Sequence, residues 1–142
     1  MSDVKPVYVP FQANLAFVIF YVISMFMNQK ELENRLVDFA CLVIQMAEQL
    51  PKSYVSIHLG KQIIRSSTSV ALNYGEARAA ESRADFSHKV KLALKELCET
   101  DVCLRIIRRS VETKTDMEPI QRESGELKAI LTATVKSLKR KS

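Results

Sequence analysis

Leu32, Leu36, Phe39, Val43, Met46 and Leu50 follow one another at steps of 4, 3, 4, 3 and 4. Apolar residues at that spacing share one stripe of an α-helix, and the alternation of threes and fours is the seam of a helix that packs lengthwise on others. Asn28 stands where such a helix begins, and Glu31 three residues later can return the favour, each side chain accepting the other's backbone N–H. Pro51 breaks the pattern. A first helix from about Gln29 to Leu50 is expected, on the order of 30 Å long at ~1.5 Å per residue.

Three more segments carry the same periodicity. After Pro51-Lys-Ser, the residues Leu59, Ile63, Val70, Tyr74 and Ala77 define a second helix from about Tyr54 to Ala79. Gly75 near its end would permit a kink or a close backbone approach. Ser82 followed by Asp85 marks a fresh start. Phe86, Val90, Ala93, Leu97, Leu104 and Ile107, with Thr100 in the one polar slot, then carry a third helix to about Ser110. Asp116 is placed to cap a fourth, with Pro119 in its first turn, where the missing N–H does no harm. Its seam is Ile120, Leu127, Leu131, Thr134 and Leu138, weakened at Gly125 by ~1 kcal/mol relative to Ala. Only 3 Gly and 4 Pro in 142 residues leave little turn chemistry for a β fold. The expectation is an all-α chain whose residues 28–142 form an antiparallel up-down-up-down four-helix bundle.

Residues 1–27 do not share this pattern. From Ala13 to Met27 no residue is charged, yet the run is shorter than the ~18 residues a membrane-spanning helix needs. It lacks the basic cluster and cleavage site of a secretory signal. Three readings fit this apolar extension: an in-frame leader with Met27 as the true start, a peripheral element packed on the domain or a neighbouring subunit, or a short membrane anchor. The first is favoured, because a well-formed helix start follows at once.

Net charge is +5, with 21 Lys and Arg against 16 Asp and Glu, which suits nucleic acid or an acidic partner. Cys41, Cys98 and Cys103 form no C-x-x-C pair, and His58 and His88 supply no zinc spacing. They read as reduced core thiols of a cytoplasmic protein, with no metal or other cofactor.

The second helix carries another stripe beside its apolar one: Gln62, Arg65, Ser66, Ser69, Asn73 and Glu76. Wet helix faces are usually rich in Lys and Glu, whereas this one is small, amidic and guanidinium-bearing. It reads as a helix–helix contact. With Glu96 and Glu99 of the third helix, these residues would fix the register of helices two and three, or line a subunit interface or central pore. A catalytic carboxylate pair is disfavoured, because no nucleophile, metal cluster or Gly-rich loop accompanies it.

The same residues resemble a known family, the bacterial four-helix bundle proteins also named for the intervening sequences of large-subunit ribosomal RNA genes. The family's first block stands here as Gln62, Arg65-Ser66, Ser69, Asn73 and Glu76-Ala77. Its second stands as Ser82, Asp85-Phe86, Lys89, Lys95-Glu96 and Glu99-Thr100, ending at Leu104. The match is firm over about fifty residues. One departure is Val102-Cys103, where many relatives carry an aromatic pair, so looser packing is expected. The resemblance implies a four-helix bundle, often assembled as a ring of five. It also implies kinship in fold with the accessory protein of diversity-generating retroelements, where a basic ring contacts nucleic acid and the enzyme. It implies no established activity.

Candidate nucleic-acid contacts are Lys91, Arg105, Arg108 and Arg109 on the third helix and Lys136, Lys139 and Arg140 in the tail. There is no Trp and Phe86 belongs to the core, so backbone electrostatics rather than base stacking is expected. The expected function is a non-enzymatic homo-oligomeric module, a pentamer favoured, holding RNA or a nucleic-acid enzyme and no small-molecule substrate. Two alternatives stand beside it. Arg83 and His88 fit the R-x4-H signature of HEPN-type ribonucleases, which cut RNA without metal, although five residues around a helix set the pair ~140° apart. A structural or membrane-associated adaptor held by residues 13–27 is the other.

Overall fold

The computed structural model describes Leu15 and residues 27–140. The apolar extension, apart from Leu15 and Met27, lies outside the described residues. Four helices follow one another: α1 (Gln29–Glu48), α2 (Tyr54–Arg78), α3 (Arg83–Ser110) and α4 (Glu118–Arg140). There is no strand among the described residues.

Side chains fix where each helix begins. Asn28 Oδ1 accepts from the Glu31 backbone N–H at 2.9 Å, and Glu31 accepts from the Asn28 N–H at 3.0 Å. Met27, just before this cap, packs partly buried on the core. Ser53 and Ser82 accept at 3.1 Å from the N–H groups of Ser56 and Asp85, opening α2 and α3. Such caps contribute about 1 kcal/mol each. Asp116 lies one residue farther out than expected, and its carboxylate takes the N–H of Glu118 at 3.0 Å.

Cross-helix pairs run in opposite sequence directions, as an up-down-up-down bundle requires. Arg78 meets Glu33 between α1 and α2, while Gln62 meets Glu99 and Glu76 meets Lys89 between α2 and α3. Between α3 and α4, Arg108 bonds Gln121 and Arg83 donates to the Leu138 carbonyl. The bundle closes where Arg35 of α1 grips Glu123 of α4 at 2.6 and 2.8 Å and also reaches Glu126. Thr115 donates to Gln49 at the other end of that edge.

The core joins all four seams. Every seam residue of α1 is buried, and Tyr74 and Phe39 are the largest side chains fully enclosed. On α4 the buried line ends in Ile130, Leu131 and Val135, whereas Thr134 and Leu138 are only half-buried. The cause is drift: a strict three-four alternation slips around a 3.6-residue helix unless the helix supercoils. Gly75 does not meet a neighbouring backbone, since a Cβ there would touch only the Glu33 carboxylate at 3.5 Å. The cysteines also depart from expectation. All three are free, but only Cys103 is in the core, while Cys41 is exposed on α1 and Cys98 half-buried. Cys103 packs beneath Leu59, and Val102 turns outward, about half exposed.

Candidate functional site

The α2–α3 seam carries most of the polar residues singled out by their spacing. Gln62 donates to Glu99 at 2.5 Å, and Arg65 bridges Glu96 at 3.2 Å and Glu99. Glu76 takes Lys89 at 2.6 Å one end of the seam away. The Arg65 hydrogen bond, above all, holds the Glu99 carboxyl below the usual carboxylate range. Beneath this layer, Thr100 donates to Ser66 at 2.9 Å in the fully buried interior. Asn73 does not cross the seam: its amide donates back to the Ser69 carbonyl of its own helix at 2.8 Å. Glu96 and Glu99 are thus carboxylates already engaged by one guanidinium, Arg65, and one amide, Gln62, a geometry suited to holding register.

The candidate phosphate contacts fall into two groups at opposite ends of the bundle, with Lys91 between them on α3. Arg105, Arg108 and Arg109 stand at the end of the bundle where α3 finishes. Lys136, Lys139 and Arg140 stand at the opposite end, beside Arg83, roughly 35 Å away at ~1.5 Å per residue. Within the first group the side chains differ. Arg108 turns toward α4, where it pairs with Glu118 at 3.2 Å and Gln121, and Arg105 sits 3.5 Å from Asp101. Lys91 and Arg109 lie with Lys95 on one exposed stripe and have no ion pair among the described residues. Spacing shows Asp101 four residues before Arg105 on the same helix, but it could not show the Glu118 partner of Arg108, which packing sets.

One exposed side chain escaped sequence reasoning. Tyr54, at the start of α2, is 87% exposed. Its signal was its place off the α2 seam, in a run from Gln49 through Gly75 that contains no carboxylate.

Arg83 and His88 are both exposed on the first turns of α3, and the Arg83 guanidinium is turned to the Leu138 carbonyl of α4. Among the described residues no His, Cys, Asp and Glu gather in threes to hold a metal, and no helix is long and apolar enough to cross a membrane.

With this geometry in view, comparison with known proteins is informative. The family described as 23S rRNA-intervening sequence protein matches residues 29–133, the whole bundle short of its last turns. The chain belongs to that family. A crystal structure from Bacteroides thetaiotaomicron, of a protein of unknown function in the S23 ribosomal protein family, is 33% identical. It superposes with a TM-score of 0.69 over 78% of this chain and 99% of its own. No curated protein matches. The α2–α3 polar seam lies wholly inside the residues that the 23S rRNA-intervening sequence family matches.

Proposed function

We propose that this family member is a non-enzymatic, cytoplasmic, homo-oligomeric helical module that holds RNA, or an enzyme acting on nucleic acid, through a basic surface. The observation that carries the reading is the outer edge of α3. There Lys91, Lys95 and Arg109 share one exposed stripe, without ion pairs among the described residues, on a chain of net charge +5. Lys91 and Lys95 stand one turn apart and Arg109 about 21 Å farther along the helix, and exposed cations without partners favour phosphates by releasing their counterions. The polar α2–α3 seam supports the non-enzymatic part, because its carboxylates serve the joint between helices.

Assembly is supported by what the bundle leaves outside. The polar stripe of α2 is used within the chain, and Leu94 packs against the core. Surplus apolar surface lies instead on the outer side of α1 and α2, at Val37, Ile57 and Leu72, which are 45%, 53% and 66% exposed. The Glu33–Arg78 pair brings Val37 and Leu72 to similar heights on neighbouring helices. Such residues are available to a subunit contact, and a ring, of five by likeness to the family, would repeat the weak phosphate contacts of each copy.

Reversing Lys91, Lys95 and Arg109 to Glu tests the reading. Structured RNA should be lost while circular dichroism stays helical. Unchanged binding by the reversed protein would remove the α3 edge from the account.

A further inference from the structure

The end of the bundle where α2 begins and α3 finishes combines three features that the basic-surface reading does not use. The first is Tyr54, whose ring is 87% exposed on a well-formed first turn. The second is its apolar surround. Cys103 bonds the Leu59 carbonyl and Gln62 bonds Glu99, and this register carries the first turn of α2 alongside the last turns of α3. Val102 and Ile106 stand there, 46% and 47% exposed. The third is charge. No Asp or Glu occurs from Gln49 through Gly75 or from Val102 through Val111. Lys52, Lys61 and Arg109 are exposed in those stretches and have no ion pair among the described residues.

Single exposed apolar residues are ordinary on protein surfaces. An aromatic ring left open beside half-exposed aliphatic side chains, in a field of unpaired cations, is a more specific arrangement. We propose that this corner binds an unpaired nucleic-acid strand, with a base stacked on Tyr54 and phosphates held by Lys52, Lys61 and Arg109. The proposal rests on the basic-surface reading and narrows its ligand. A duplex buries its base faces and can use only the cations, whereas an unpaired strand presents both a π-face and a phosphate at each step. The polyanionic charge of such a strand is complementary to Lys52, Lys61 and Arg109, which stand in stretches of the chain without Asp or Glu. Val102 and Ile106 add half-exposed apolar surface on the last turns of α3 alongside.

The test uses the full chain, an oligouridylate of about twelve nucleotides and an RNA duplex of similar length, followed by fluorescence anisotropy. Tyr54→Ala should weaken oligouridylate binding about tenfold, since each stacked base contributes that order of affinity. Tyr54→Phe should restore it, and duplex affinity should be unchanged in both. Because the ring is exposed, neither substitution disturbs the core, and circular dichroism checks this. Equal oligouridylate affinity for Tyr54→Ala and the parent, with duplex still bound, would overturn the stacking site and leave the basic surface standing. Failure of the parent to bind either probe would overturn both. Tyr54-dependent capture of an oligoglutamate peptide without oligouridylate binding would assign the corner to acidic protein segments and also overturn the proposal.

Discussion

The Thr100 hydroxyl donates to Ser66 Oγ at 2.9 Å, with both side chains fully buried where α2 crosses α3. Ser66 passes the chain on to the Ile63 carbonyl at 3.3 Å. This bond ties α2 to α3 at one register, while each hydroxyl also has a carbonyl of its own helix within reach, Ile63 for Ser66 and Glu96 at 2.9 Å for Thr100. Thr100→Val or Ser66→Ala should each cost about 1 kcal/mol, and the double variant should cost clearly less than their sum, since both partners then leave together. Urea unfolding of the four proteins measures this. Strict additivity would show the two hydroxyls to be independent.

Gly125 sits on the exposed side of α4, and a Cβ added there meets nothing within 4 Å. Gly125→Ala should therefore stabilise the chain by about 1 kcal/mol through helix propensity alone. A thermal melt checks it, and a lower midpoint would mean the open face is covered in solution.

Acid should loosen the α2–α3 seam. The Arg65 hydrogen bond lowers the Glu99 carboxyl in the folded chain, so its contribution is complete above the unfolded value of about 4.3. That contribution fades as the pH falls through the lower folded value. The urea midpoint should decline below about pH 4, and Glu99→Gln should lose part of that pH dependence. The same acid slope in parent and variant would contradict it.

How far the sequence alone reaches can be judged residue by residue. The α1 cap and seam were fully legible, because Asn28, Glu31 and the apolar run act through local geometry that spacing encodes. The pairing of Gln62, Arg65 and Glu76 with α3 was legible as a contact stripe. The turning back of Asn73 onto Ser69 was not, because i−4 bonding and cross-helix bonding use the same side chain at the same spacing. The pairing of Arg108 with Glu118 was hidden for a related reason: it depends on which way each helix is rotated in the bundle, whereas Arg105 and Asp101, four residues apart on α3, were legible as a pair. Tyr54 was overlooked because a seam analysis weighs what repeats, and an exposed aromatic at a helix start repeats nothing.

Assembly makes its own prediction. Light scattering should give a mass several times 16.1 kDa, and Leu72→Asp should reduce it by placing a charge where apolar surface is covered. A parent chain that stays monomeric at micromolar concentration would refute the ring, and an unaffected Leu72→Asp oligomer would move the contact elsewhere.

The most direct test of the basic-surface reading is a filter-binding titration of the unmodified protein with structured RNA and duplex DNA across a salt series. Both should be retained at low salt and released at moderate salt. The logarithm of affinity should fall linearly with that of salt, at a slope near −0.9 for each phosphate neutralised on duplex DNA. Retention of neither nucleic acid at low salt would contradict the account, leaving Lys91, Lys95 and Arg109 as a solvated edge of a bundle that serves protein partners alone.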